Sequence, residues 1–512
     1  MKKYWLQGLC NNAFWVLTIG FATLMFCMNF YHTAVISYDT YEHVTITNTP
    51  WVGVLFCALG GLGVIAASFL LKLADKINEK AFFCVFAIIY IAMGLYIING
   101  CDTTLRSDPA MVFDAARWVS LGNYDYFEQG SYLHSYPHQT GLMLYDALLR
   151  SFGKDASVNF TVNLLMVIGI NYVFLKISDI TFESKLVNIV TVVLSFSFLP
   201  QLFFVMFAYG LIPGFLFMSL AFYYTLKLVK SEGLIYILPL GVFMALAVIL
   251  RKNYIIGAFA IVIYLFVMSK SRVKVRLLAA VCVLACAILP MKMILGYFEY
   301  KTGNDLDNGV PSVMWIAMGT DLENRDRAPG WYNGFNYYTY IQQGYNAEPT
   351  AEIGVEKLKS NLEQMKSDPK AAVEFFYEKS VSMWCENTYQ SIWSGPLEEC
   401  SQYTENDILR DIYNGGETES GVAFFCESVS QMIWLFLLIF LVAFAGRCDG
   451  WQIMLLFFVG GFLLHLMWEG KSQYIYPYVF CLIPCAAYAF VRCALRVRGA
   501  AKKLKVGLNK QI

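Results

Sequence analysis

Charge is what this chain has least of. Lys, Arg, Asp and Glu together make up 15% of its 512 residues, against roughly 25% in an ordinary soluble domain. The 38 basic and 38 acidic residues cancel, so a nucleic-acid partner has no electrostatic footprint to bind. Histidines number only 5, and no CxxC or Cys/His group has the spacing of a zinc site. Low-complexity tracts and internal repeats are also missing, which excludes solenoid and disordered classes.

Apolar and aromatic residues fill the space that charge leaves. Hydrophobic residues reach 58% and aromatics 16%, with 33 Tyr and 40 Phe, and the mean hydropathy is +0.51. Such a composition belongs to a polytopic membrane protein whose helix ends meet the lipid headgroups. Most of the 14 cysteines (Cys27, Cys57, Cys84, Cys282, Cys286, Cys481 and Cys485 among them) fall in apolar runs, where they act as small hydrophobes. Cys385 and Cys400 lie in a polar stretch, and their pairing stays open. The basic start Met1-Lys2-Lys3 and the apolar run from Phe14 are followed by no small-residue cleavage site. They therefore read as a first transmembrane helix rather than a signal peptide.

A membrane span needs about 20 mostly apolar residues. On that basis twelve are expected, over 13–36, 51–73, 81–99, 158–179, 186–207, 208–229, 234–250, 254–270, 276–297, 427–446, 451–468 and 474–492. The run from Val187 to Val229 is almost unbroken, and its turn is expected near Ala208-Tyr209-Gly210. Lys72, Lys76 and Lys80, then Lys176 and Lys185, Lys227 and Lys230, Lys270 to Arg276, and Arg492 to Lys505 all lie at or just after the ends of even-numbered spans. The positive-inside rule then places both termini in the cytoplasm.

This topology divides the chain into N-terminal helices over 1–99, a large outer loop over 100–157, central helices over 158–297, an outer domain over 298–426, C-terminal helices over 427–492 and a basic tail over 493–512. Loops longer than about 15 residues are uncommon unless folded or functional. The outer domain shows helical periodicity from Thr350 to Lys379, so a small, mostly helical unit is expected there. The fold class is thus all-α, polytopic, with interfacial helices in the first loop.

Candidate chemistry gathers in those outer segments. Asp108 follows the third span by a few residues, and Asp114 lies on the same stretch. Asp108 before Pro109 also suits a helix N-cap, so a capping role and a catalytic one are both open. Further on come Ser135-Tyr136-Pro137-His138-Gln139-Thr140-Gly141 and an amphipathic stretch to Phe152. His134 and His138 suit loop hydrogen bonding as well as substrate contact. Arg251 and Lys252 form the one basic pair at a short outer turn, where they suit a lipid phosphate or simple snorkelling. Glu386, in Met383-Trp384-Cys385-Glu386-Asn387, is a candidate for substrate contact.

The acidic residue straight after a helix, then Tyr136-Pro137-His138-Gln139-Thr140-Gly141, the basic Leu250-Arg251-Lys252-Asn253-Tyr254, Gly330-Trp331-Tyr332-Asn333-Gly334-Phe335-Asn336 and Glu469-Gly470-Lys471-Ser472-Gln473-Tyr474-Ile475-Tyr476-Pro477 together resemble the GT-C class of membrane glycosyltransferases. Protein O-mannosyltransferase-like and aminoarabinose transferase-like bacterial enzymes are the nearest in pattern. The resemblance implies a GT-C-like fold and an inverting transfer of a hexose or pentose from a polyprenyl-phosphate donor to a lipid, glycan or protein acceptor. Asp108 or Asp114 would be the base. Arg251, Lys252 and Lys471 would bind the lipid phosphate, and Tyr136, His138, Gln139, Glu386, Glu469 and Tyr474 the substrate. Protein cations suffice for a monophosphate leaving group, so neither metal nor cofactor is expected. Two positions depart from the class: Pro109 stands where many members have Glu, and Gln473 where Arg is usual. A lipid-linked polysaccharide polymerase or ligase, or a twelve-helix transporter or flippase, are the alternatives. The long loops after the third and ninth spans fit a transporter poorly, since its halves would be joined by a long cytoplasmic connection.

Overall fold

The computed structural model describes residues 2–447 and 449–508; Met1, Cys448 and the last residues of the 493–512 tail lie outside it. Most of the described residues are helical. Seven helices are long and apolar enough to cross a membrane: Asn12–Tyr31, Pro50–Ala74, Glu79–Asn99, Ser157–Phe182, Leu211–Ser231, Val273–Thr302 and Glu417–Ala443. Two bent pairs, Lys185–Ser197 with Pro200–Met206 and Ser472–Phe480 with Ile483–Lys503, raise the number to nine. Seven to nine of the twelve expected spans therefore have the length and apolarity to cross, and Leu234–Leu250, Lys252–Met268 and Gln452–Met467 are apolar but short.

Lipid, not water, is the solvent that these helices fit. Phe69 is 77% exposed, Met293 74% and Val281 65%, on helices that bury only a fifth to a third of their most apolar windows. Contiguous apolar faces of that size are costly in water and neutral against acyl chains. The interior helices Leu211–Ser231 and Glu417–Ala443 bury 61% of theirs. They meet a core in which Trp384, Trp434 and Phe458 pack ring to ring.

Several boundaries differ from expectation for identifiable reasons. The first helix stops at Tyr31, not 36, because His32–Ile36 is a strand (β1) paired antiparallel with Val44–Asn48 (β2), Ala34 opposite Ile46. β-branched residues, Thr33, Val35 and Ile36 against Val44, Thr45, Ile46 and Thr47, favour the pleat over the helix. The fifth span, expected over 186–207, breaks at Pro200 with a 53° bend, since proline forbids a continuous helix through the preceding turn. The last span bends by 48° after Phe480, and its helix Ile483–Leu508 continues through the basic tail. The outer periodicity from 350 to 379 resolves into two helices, Ala347–Ser367 and Pro369–Trp384. Asp368 caps the second by accepting from the Ala371 amide at 2.9 Å.

The region between Asn99 and Ser157 is built from the helices Ser107–Ser120 and Thr140–Leu149 with short turns between. Their inner faces, Val112, Ala115, Ala116 and Leu142, close a small core with Phe127, Leu133, Leu250 and Phe298. That core docks the start of Ser107–Ser120 beside the end of the apolar helix Ile237–Leu250 and so fixes the site. The outward faces carry Leu121, Leu148 and Phe152, all largely exposed, as in helices lying on a membrane surface.

Candidate functional site

A cavity of about 360 Å³ opens where the first loop, the turn after Leu250, the outer domain and the segment before the last apolar helix meet. Nine residues singled out from the sequence line it: Asp108, Tyr136, His138, Gln139, Arg251, Lys252, Glu469, Lys471 and Tyr474. They come from four separate parts of the chain.

Asp108 sits in the first turn of Ser107–Ser120, whose N-cap is Arg106, so it does not serve as the cap. Its Oδ2 accepts a hydrogen bond from the Tyr209 hydroxyl at 3.3 Å. Gln139 Nε2 donates to that same hydroxyl at 2.7 Å, and the Tyr132 hydroxyl lies 3.0 Å from it. Asp108 is exposed to the cavity, with protein atoms packed densely around it. This burial holds the Asp108 pKa above the ordinary aspartate range, with the nearby Lys471 charge and the Tyr209 hydrogen bond pulling the other way. Tyr209 owes its position to Gly210, at φ 74°. A Cβ there would lie 2.3 Å from the Leu250 carbonyl oxygen, so only glycine lets the two turns close.

Arg251 ends the apolar helix and turns its guanidinium inward. Its Nη1 donates to the Tyr209 carbonyl at 3.0 Å, and its charge lies over the rings of Tyr209 and Tyr474, 5.7 and 5.5 Å from their centroids. Lys252 is exposed to the cavity. Among the described residues, neither has a carboxylate within ion-pair distance. His138 is kept neutral, its pKa pushed down to about 3 by burial and by the charges of Lys252 and Arg251.

Lys471 is differently placed. Its Nζ lies 2.8 Å from Glu42 Oε1, while Arg327 Nη1 lies 2.7 Å from Glu42 Oε2. Glu42, 3% exposed, thus holds two cations on one carboxylate. Burial alone would raise its pKa, but the Lys471 and Arg327 charges outweigh that and hold it below the ordinary range. Lys471 is therefore committed to an internal partner, in contrast to Arg251 and Lys252. Glu469 accepts from the Tyr474 hydroxyl at 2.6 Å, and burial raises its pKa.

Two of the expected residues stand apart. Asp114 is exposed on the opposite side of the helix whose Val112, Ala115 and Ala116 are buried, and it does not line the cavity. Glu386 is 2% exposed behind the site. It accepts from the Ser472 hydroxyl at 2.7 Å and from the amides of Thr388 and Gln390, which anchors the Lys471–Tyr474 segment. Among the described residues, no three His, Cys, Asp or Glu side chains approach closely enough to hold a metal ion.

Glu42, Arg106, Tyr209, Trp315, Arg327 and Trp468 line the cavity without having been singled out. Arg106 donates to the carbonyls of Trp393 and Gly395 and stacks 4.2 Å from the Trp393 centroid. A usable sequence signal existed for Glu42 alone: it is an acid in an outer connection poor in Lys and Arg. No family model matches this chain, and no curated protein matches it in sequence.

Proposed function

We propose that the protein is a membrane glycosyltransferase with a GT-C-like fold, which moves a sugar from a polyprenyl-phosphate carrier to an acceptor hydroxyl in the cavity described above. The observation that carries this reading is one shared cavity holding a carboxylate, Asp108, and two cations without acidic partners, Arg251 and Lys252. Five basic side chains line that cavity against three carboxylates, a positive excess that suits a phosphate-bearing donor.

The acceptor oxygen attacks the anomeric carbon as the bond from that carbon to the phosphate oxygen breaks. The bonding pair leaves with the polyprenyl phosphate, the acceptor proton passes to Asp108, and the configuration inverts. A carboxylate whose pKa is raised by burial is a stronger base at neutral pH, and such a base contributes about 10²–10⁴-fold. Arg251 and Lys252 stabilise the charge that grows on the leaving phosphate. The acceptor is a lipid, a glycan or a protein.

On this reading the three shorter apolar helices also cross the membrane, which with the seven long ones and two bent pairs makes twelve spans. The basic connections then face the cytoplasm with both termini, and the cavity opens on the outer side of a plasma membrane. A short-chain polyprenyl-phosphate-hexose panel with purified protein tests the proposal. Wild type releases polyprenyl phosphate, Asp108→Asn loses at least about a hundredfold, Arg251→Ala raises the donor KM, and Asp114→Asn stays near wild type. An active Asp108→Asn refutes the base assignment. A protein that turns over no donor, but moves a labelled lipid across liposomes, is a transporter.

A further inference from the structure

One wall of the cavity has a chemistry that the phosphate-facing side lacks. The indoles of Trp315 and Trp468 lie parallel, with 5.8 Å between centroids and 6° between planes. The Tyr136 ring meets Trp315 edge-on at 6.3 Å. Both indoles are half-buried and line the cavity. The next residue, Glu469, is 4% exposed and bonds Tyr474 through Oε1, while its Oε2 has no donor among the described residues. Gln473 also lines the cavity, and its buried Oε1 likewise lacks one. Each such acceptor carries an uncompensated desolvation cost, which a ligand bearing donors removes.

The wall is also held in place. Lys379 Nζ donates to the carbonyls of Gly319, Leu466 and Trp468 at 2.5, 3.0 and 2.6 Å. A Cβ on Gly319 would come 2.4 Å from the Trp468 carbonyl oxygen, so the helix carrying Trp315 closes directly onto Trp468. The Gly470 amide donates to the Gly330 carbonyl at 2.8 Å. The indoles stand in place before a ligand arrives, while the two acceptor oxygens, buried in this structure, reach it by a turn of their side chains.

We infer that the wall of Trp315, Trp468, Glu469 and Gln473 is a subsite for a saccharide ring, whose apolar C–H face packs on the indoles while its hydroxyls donate to Glu469 and Gln473. The alternative donor-bearing ligand, an organic cation, is disfavoured by the positive excess of the lining. The Gln473 amide can accept from a hydroxyl as well as donate to one. The inference rests on the transferase reading for the ring's being a substrate. That ring belongs either to the donor or to a sugar of the acceptor.

Saturation-transfer-difference NMR on the full-length protein in detergent tests it, with methyl mannoside, methyl glucoside, N-acetylglucosamine and maltose as probes. At least one probe gives ring-proton signals with wild type, and Trp468→Leu and Glu469→Gln weaken its Kd at least about tenfold. Trp315→Phe and Trp468→Phe keep a ring in place and separate lost binding from lost folding. No signal with any probe, or an unchanged Kd in folded Trp468→Leu and Glu469→Gln, overturns the subsite. In the transfer assay, a rise in donor KM alone assigns the ring to the donor, and a rise in acceptor KM alone assigns it to the acceptor. Wall-dependent binding without any transfer leaves the subsite standing and removes the transferase reading. Transfer with unchanged KM values in every wall variant does the reverse.

Discussion

Replacing Glu42 by Gln removes the shared anion of two cations and tests how the site is held together. The wild-type carboxylate is 3% exposed and makes ion pairs at 2.7 and 2.8 Å with Arg327 and Lys471, whose side chains are 21% and 17% exposed. Breaking a buried pair by removing one partner costs about 3–5 kcal/mol, because the other charge is left uncompensated. Gln retains one neutral acceptor and the cavity admits some water, so the expected loss is at the lower end, about 3 kcal/mol. Its sign with pH follows from the depressed Glu42 pKa. The carboxylate's contribution is complete above the ordinary glutamate value of about 4.3, and is lost as the pH falls through the lower folded value. Thermal unfolding in detergent at pH 7 should show Glu42→Gln several degrees below wild type. Glu42→Gln with Lys471→Met should recover part of the loss, since one stranded cation is gone, giving a coupling of about 0.5–3 kcal/mol. Equal melting temperatures for wild type and Glu42→Gln at pH 7 would refute the reasoning. So would a double variant that melts at the temperature expected from simple additivity.

Three other expectations rest on different parts of the molecule. Asp146 is fully buried, accepts from Asn159 Nδ2 at 2.7 Å and has its pKa pushed up to about 8 by burial. A carboxyl whose folded pKa is raised loses stability as pH climbs from its unfolded value of about 3.9. Wild type should therefore be about 2–3 kcal/mol less stable at pH 7 than at pH 5, at 1.36 kcal/mol per unit, and Asp146→Asn should cancel that difference in paired thermal scans. Gly210→Ala drives a methyl into the Leu250 carbonyl; purified protein should lose about 1–3 kcal/mol, and turnover should fall as Tyr209 shifts from Asp108. The raised Asp108 pKa predicts that kcat/KM falls on the acid side at a pH above the ordinary aspartate value, a limb that a pH–rate profile would locate.

Much of the helical architecture is written in local composition. The stretches 51–73 and 81–99 lie inside helices Pro50–Ala74 and Glu79–Asn99, because a run of about 20 apolar residues has one satisfactory form in lipid. The same logic fails where local signals conflict. Residues 32–36 are apolar enough to extend a helix, and their β-branched side chains become a strand where 44–48 offers a pairing partner. Pro200 stood in plain view, but the 53° bend depends on what the freed backbone packs against.

The site divides in the same way. Asp108, Arg251 and Glu469 were visible because charge is rare in this chain and each sits beside an apolar run. That Asp108 and not Asp114 faces the cavity follows from helical phase against the core of Val112, Ala115 and Ala116. Lys471 looked free in sequence, but tertiary packing brings it to Glu42, more than four hundred residues away. Trp315 and Trp468 were two aromatics among many until folding laid one on the other. Composition and hydropathy are properties of short segments and suffice to put helices in a membrane. Which side chains share a cavity depends on contacts between distant segments, and those are fixed when the helices and loops pack together.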